Sequence, residues 1–264
     1  MIFSILILIT AFLGSILAGI FGGGGGIIFT PAIFLFLSYK DPAASYLMQT
    51  SITTMITSML LSGLVASFKQ HHYQQIDWKT VRWSAPPIIA GAIFGCFIMI
   101  LIPSRILTYF FAVATLLLAL KSGLKLYSTS SQQLIHKTTS WYFRYFGSFL
   151  LGVICTVSGS ASFVVQFYEH IGLKIKLAIG TTTVSVWLYS IFVVVIMIIS
   201  GLNQNDLPSG NIGYLNYQYL LLFMSPTIPG AIIGAKLSNY LPDRKLKIAF
   251  TFLLLAIGIS MLYS

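Results

Sequence analysis

Five consecutive glycines, Gly22 to Gly26, stand between two strongly apolar runs, Ile2 to Phe21 and Ile27 to Leu37, with Pro31 close behind. A helix does not cross such a stretch comfortably. Glycine costs roughly 1 kcal/mol relative to alanine at an interior helical position, so five in a row enforce a break. The apolar flanks put that break at or near membrane depth. Non-helical backbone has no lipid partner for its N–H and C=O groups, so it persists there only where protein buries it or where it lines a watery cavity. The helix that restarts after the break opens with N–H groups that lack intrahelical partners. It also carries the positive end of its dipole there, with no side chains to hold an anion off. Gly22, Gly23, Gly24, Gly25 and Gly26 are therefore candidate substrate-binding residues. The plainer alternative is a tight hairpin or close helix crossing without a ligand, since glycines also serve packing in membranes.

Of the 264 residues, 57% are hydrophobic and only 8% charged, and the mean hydropathy is +0.90. That excludes an ordinary soluble domain and describes a single integral membrane domain over 1–264. Its longest polar stretches, Lys69 to Lys79, Tyr127 to Ser140 and Asn203 to Asn216, are loop-sized. The apolar start at Ile2 lacks a basic leader and a small-residue cleavage pattern, so it is expected to be retained. Ten apolar segments are expected as helices, at 2–21, 27–38, 45–68, 83–102, 106–120, 142–157, 162–173, 177–200, 217–237 and 246–263. The second and seventh are too short to cross a ~30 Å hydrocarbon core untilted and follow small-residue breaks, so they are expected as half-helices in hairpins.

With the N-terminus on one side, Lys40 and Arg105 fall on that side. Lys69, Lys79, Arg82, Lys121, Lys125, Lys137, Arg144, Lys174, Lys176, Arg244, Lys245 and Lys247 all fall on the other. The positive-inside rule makes the second side cytoplasmic and puts both termini outside a cell membrane crossed many times. The net charge of +10 thus reports topology; no basic, aromatic-interleaved face suggests nucleic acid.

The chain also repeats. PIIAGAIFGCFIMILIPSR at Pro87 to Arg105 and PTIPGAIIGAKLSNYLPDR at Pro226 to Arg244 share G-A-I-x-G and P-x-R without a gap, at an offset of 226 − 87 = 139 residues. Two halves are expected, 1–127 and 141–264, joined by a linker at 128–140. Each holds a broken-helix hairpin plus three transmembrane helices. An odd number of crossings inverts the second copy, giving an all-α polytopic membrane protein of two inverted-topology repeats, a construction that recurs in secondary transporters. The counterpart of the glycine run is Ser158-Gly159-Ser160-Ala161-Ser162, and Gln49-Thr50-Ser51 corresponds to Gly180-Thr181-Thr182.

These residues resemble the TauE/SafE family of membrane permeases: a Gly-rich break with a nearby Pro, a Thr-Ser, a loop ending in Asp77-Trp78, then P-x-x-x-G-A-x-x-G. The resemblance spans nearly the whole chain and implies a transporter, usually an exporter, of sulfite or of small sulfonated and other organic anions. The departure is in the second half, where SGSAS, with Gln166 near the Pro position, replaces a second Gly-rich loop followed by Pro.

An oxyanion can be held by N–H groups of two opposed breaks together with hydroxyls of Thr50, Ser51, Ser158, Ser160, Thr181 and Thr182, with Gly159, Ser162 and Gln166 completing the second wall. Neutral donors bind an anion well enough to select it and weakly enough to release it. Each hydroxyl could instead bond a neighbouring helix or its own preceding turn. Glu169 and His170 form a pair suited to carrying a coupling proton, or, with Lys174 and Lys176 near, a salt-bridged interfacial end. Cys96 and Cys155 read as buried inert thiols, and His71-His72 lacks further ligands at metal spacing. No cofactor, metal or catalytic constellation is expected. An anion transporter, a passive anion channel and a non-transporting membrane scaffold or assembly factor remain open, and broken helices in corresponding positions favour the first two.

Overall fold

The computed structural model describes residues 8–9, 11–16, 25–127, 141–240 and 243–262. Among the described residues, nine helices follow one another from Gly25 onward: α1 (Gly25–Lys40), α2 (Leu47–His72), α3 (Trp78–Leu101), α4 (Ser104–Tyr127), α5 (Trp141–Ser158), α6 (Ser162–His170), α7 (Ile175–Gly201), α8 (Tyr217–Tyr240) and α9 (Asp243–Leu262). Residues 11–16 are helical ahead of α1. Every apolar segment expected from residue 27 onward is a helix. The first segment, the linker at 128–140 and Gly22, Gly23 and Gly24 lie largely or wholly outside the described residues. Leu47–His72, Trp78–Leu101, Ser104–Gly123 and Ile175–Gly201 are long and apolar enough to cross a bilayer. The chain is an all-α, multi-pass membrane protein.

The expected half-helices differ in length. α1 is 16 residues long and runs through Pro31, whereas α6 has only 9 residues. A small antiparallel hairpin, β1 (Asn211–Ile212) with β2 (Leu215–Asn216), appears within the loop expected at 203–216.

The G-A-I-x-G motif is a crossing surface. A Cβ on Gly91 of α3 would overlap the Phe149 carbonyl oxygen of α5, and one on Gly152 of α5 would overlap the Ile88 carbonyl oxygen of α3. Small residues at this spacing let two backbones touch. The matching motif on α8 meets the N-terminal helix instead: Gly230 lies against Ser15, whose Oγ is 2.7 Å from the Phe12 carbonyl and 3.3 Å from that of Pro226. So α3 packs on α5, and α8 on the helical residues 11–16. α4 lies along α9, where Thr251 Oγ1 donates to Ser122 Oγ at 3.0 Å.

The long helices α2 and α7 pack together at the centre. Around them Ile33, Met48, Ile52, Met55, Ile88, Tyr189 and Val193 form one continuous buried core. Each central helix is fastened at its start by the loop that leaves the other. At one end of the bundle, Asn211 Nδ2 donates to Thr50 Oγ1 at 2.9 Å and Asn216 N to Thr54 Oγ1 at 3.0 Å. Asp41 Oδ2 there accepts from Ser209 N and Oγ at 3.0 and 2.8 Å. Tyr214 of the same loop is buried, and burial pushes its phenol up to about 12, so it stays neutral in any physiological buffer. At the other end of α2, Asp77 N donates to Thr181 Oγ1 at 3.0 Å, and a Cβ on Gly180 would overlap the Gln75 carbonyl oxygen.

Candidate functional site

Gly26, helical in α1 rather than part of a break, meets Gly159. A Cβ on Gly26, in the first turn of α1, would overlap the Gly159 carbonyl oxygen and stand 3.0 Å from Met55 Cε of α2. Gly159 follows the last residue of α5 with φ +59, the left-handed conformation that commonly ends helices and that glycine adopts without cost. Its own Cβ would meet Thr30 Oγ1 at 3.0 Å and Met55 Cε at 3.1 Å. The backbone oxygen of Gly159 is thus held against the first described turn of α1.

Ser and Thr side chains in helices ordinarily bond the carbonyl of the preceding turn. Ser51 does so, with Oγ 2.7 Å from the Leu47 carbonyl, as do Thr57, Thr183 and Ser185. Others do not. Thr30, Thr53, Thr156, Ser158 and Thr182 are 2% exposed or less, and none of their hydroxyls has a hydrogen-bond partner among the described residues. Burying an unpaired hydroxyl costs about 1–3 kcal/mol, so such groups call for a ligand, an ion or water. Two of them, Thr30 and Ser158, stand directly at the Gly26–Gly159 contact, one across it and one next in sequence to Gly159.

The other candidates separate by use. Thr50 and Thr181 each accept one bond from a loop at opposite ends of the bundle, leaving their hydroxyl hydrogens to donate elsewhere. Ser160 is buried, and its Oγ accepts a 3.4 Å bond from Ser162 N within the turn. Gln166 is half-buried on α6. Glu169 is half-buried and His170 exposed at the end of α6, with the Phe143 ring 6.3 Å from the imidazole. His71 is exposed and meets Trp78 edge to face at 5.7 Å. Cys96 and Cys155 are free and buried. Among the described residues, no group of three His, Cys, Asp or Glu is placed to hold a metal.

Sequence reasoning missed Thr30, Thr53 and Thr156. Thr30 alone carried a signal, its position between the glycine run and Pro31. A surface hollow lined by Trp141, Tyr142, Phe143, Tyr145 and Phe146 marks the start of α5. It is an aromatic membrane-interface feature, made by residues other than those of the breaks.

The sequence pattern of the family described as "Sulfite exporter TauE/SafE" matches residues 6–261. The chain belongs to that family. A "Probable membrane transporter protein" of Haemophilus influenzae is 28% identical over 262 residues, covering 98% of both chains. A "Probable membrane transporter protein YdhB" of Bacillus subtilis is 26% identical over 258 residues, covering 93% of this chain and 94% of its own. No solved structure matches.

In this TauE/SafE protein the Asp77-Trp78 pair has a structural reason. Asp77 caps α3, with Oδ1 accepting from Lys79 N at 3.2 Å and Oδ2 from Thr80 Oγ1 at 2.7 Å, while its own N–H reaches Thr181. Such a cap satisfies helix-opening N–H groups and contributes about 1 kcal/mol. It also ties the start of α3 to the start of α7.

Proposed function

We propose that this membrane transporter carries sulfite or a small sulfonate or other organic anion out of the cell, and that the anion is held where the glycine run Gly22–Gly26 and the turn at Ser158–Ser162 converge. The single observation that carries the reading is the pair of buried, unpartnered hydroxyls of Thr30 and Ser158 beside the Gly26–Gly159 contact. In the conformation described here the Gly159 carbonyl lies against the first described turn of α1. An oxyanion is a strong acceptor for helix-opening N–H groups, because charge-assisted hydrogen bonds are roughly twice as strong as neutral ones, and it needs the space that the Gly159 carbonyl fills against Gly26. Substrate therefore competes with that contact and opens it. Gly26, Gly159, Thr30, Ser158, Ser160 and Thr182 are the residues assigned to binding, with the hydroxyl hydrogens of Thr50 and Thr181 available when their loops move away.

Two inverted halves, with both termini outside and the 69–79 loop in the cytoplasm, complete the reading. The reciprocal fastening of Thr50 and Thr181 by loops of the opposite half supports it, as does the parallel use of Gly91 and Gly230 at helix crossings. A proton is the proposed coupling ion. Uptake of labelled sulfite, thiosulfate, sulfate and methanesulfonate into proteoliposomes, with and without a pH gradient, tests substrate and coupling together. Saturable uptake of sulfite or the sulfonate that responds to the gradient is the expected result. Flux that rises linearly with concentration would point to a pore instead.

A further inference from the structure

Three fully buried hydroxyls meet away from the glycine contact. Tyr168 of α6 places its Oη 2.7 Å from Ser84 Oγ of α3 and 2.9 Å from Ser185 Oγ of α7. Each serine Oγ also lies within reach of its own helix, at 2.7 Å from the Thr80 carbonyl and 3.0 Å from the Thr181 carbonyl. All three residues are 0% exposed.

Four contacts share three hydroxyl hydrogens. Four arrangements use all three, each leaving a different contact without a hydrogen. In two of them both serines donate to their own carbonyls and the phenol donates to one serine, and the other two run as a continuous chain through the phenol. In one such chain, Ser84 donates to Tyr168, Tyr168 to Ser185, and Ser185 to the Thr181 carbonyl. In the other the chain runs backward and ends on the Thr80 carbonyl. Whichever carbonyl is left out keeps its helical N–H partner. The phenol therefore retains a hydrogen bond if it loses either serine, and it favours neither helix by its own chemistry. A position that needed only volume would be filled by phenylalanine without three polar atoms to satisfy.

The seat of α6 matters because the helix is 9 residues long, too short to be stable without tertiary contacts. It begins at Ser162, three residues after Gly159, so its placement fixes where the second break stands against Gly26. We propose that Tyr168 is a positioning residue for transport: its phenol pins α6, and with it the turn at Gly159, to α3 and α7 at once, and the reversible hydroxyl chain lets that pin follow either helix when the two separate. This rests on the reading of the Gly26–Gly159 contact as the transport site.

The test uses the chain's own thiols. Cys155 of α5 is buried and free, and the Val164 backbone of α6 lies at its sulfur, so loosening α6 exposes it. In a Cys96→Ser background reconstituted into liposomes, Cys155 is labelled with N-ethylmaleimide in the absence of substrate. Tyr168→Phe is expected to raise the labelling rate at least fivefold. Ser84→Ala and Ser185→Ala should each raise it less than twofold, because the phenol keeps one partner, while the double serine variant should match Tyr168→Phe. Such non-additivity is what a shared partner produces. Labelled sulfite counterflow in the same liposomes should show a maximal rate changed at least threefold with KM within twofold.

Unchanged labelling in Tyr168→Phe overturns the assignment. So does labelling in which each single serine variant equals the double, or raised labelling with a wild-type maximal rate. If Tyr168→Phe fails to yield monodisperse protein, the double serine variant carries the same test with α6 itself unaltered. Normal counterflow by Gly159→Ala and Thr30→Val would count against the transport site while leaving the labelling result standing, so the two failures are distinguishable.

Discussion

Gly26→Ala separates a site held together by backbone contact from one that merely lacks side chains. Alanine would gain the α1 helix up to about 1 kcal/mol of propensity, and less than that so near the helix start. Against this stands the overlap of the new methyl with the Gly159 carbonyl oxygen, with Met55 Cε only 3.0 Å from the same methyl. A carbonyl belongs to the backbone and cannot rotate aside, so α1 or the turn at Gly159 has to shift, and overpacking of this kind costs about 1–3 kcal/mol. The overlap wins, and a net loss of about 1–2 kcal/mol follows. Thermal unfolding of purified protein reads the stability, and labelled sulfite counterflow in liposomes, where a fall of tenfold or more is expected, reads transport. Gly63→Ala is the control. The nearest atoms to its new methyl are Trp187 Cβ at 3.6 Å and Cδ1 at 3.8 Å, an ordinary contact, so the helix gains about 0.5–1 kcal/mol and transport is unaffected. Wild-type counterflow and an undiminished unfolding temperature in Gly26→Ala would refute the reasoning.

Asn216→Ala removes a buried side chain that bonds Ser209 O at 3.0 Å, Asn211 Oδ1 at 2.7 Å and Tyr219 N at 3.1 Å. A loss of about 1–3 kcal/mol and faster proteolysis within 203–216 are expected; unchanged cleavage would show the loop to be held by other means. Glu169→Gln should leave transport and its pH dependence intact, because an interfacial charge near exposed Lys174 contributes little. Loss of proton-driven uptake at normal protein levels would instead make Glu169 part of the coupling path. For topology, a membrane-impermeant maleimide should modify Ser209→Cys in intact cells and Gln74→Cys only after permeabilisation, and the opposite pattern would invert the orientation.

Most helices were legible because length and apolarity decide them, but the break expected over Gly22–Gly26 does not extend to Gly25 and Gly26, which are helical in α1, and Gly22, Gly23 and Gly24 lie outside the described residues. What the glycines do was not legible. Gly91 and Gly230 stand out as a repeated motif, yet their partners, Phe149 of α5 and Ser15 of the N-terminal helix, are set by how the helices cross. The hydroxyls divide for a similar reason. Ser51 and Ser185 turn back onto their own helices while Thr30 and Thr182 do not, and that choice is made by rotamer and neighbour rather than by residue type. The hairpin at Asn211–Asn216 escaped because strands of 2 residues have no periodicity to read. Tyr168 escaped because an aromatic on a short apolar helix looks like core until Ser84 and Ser185 are seen on either side of it.

The central claim is that substrate is bound where Gly26 meets the turn at Gly159, by hydroxyls left unpaired among the described residues. The most direct measurement is sulfite counterflow, with unfolding temperature in parallel, on the double variant Thr30→Val and Ser158→Ala. Each hydroxyl given up by the substrate costs about 0.5–1.5 kcal/mol, so KM should rise about fivefold to a hundredfold. Stability should hold or increase, because no partner among the described residues is lost and two buried, unpartnered hydroxyls are removed. An unchanged KM, or a loss of stability without a change in KM, would contradict the account and make these hydroxyls part of the packing.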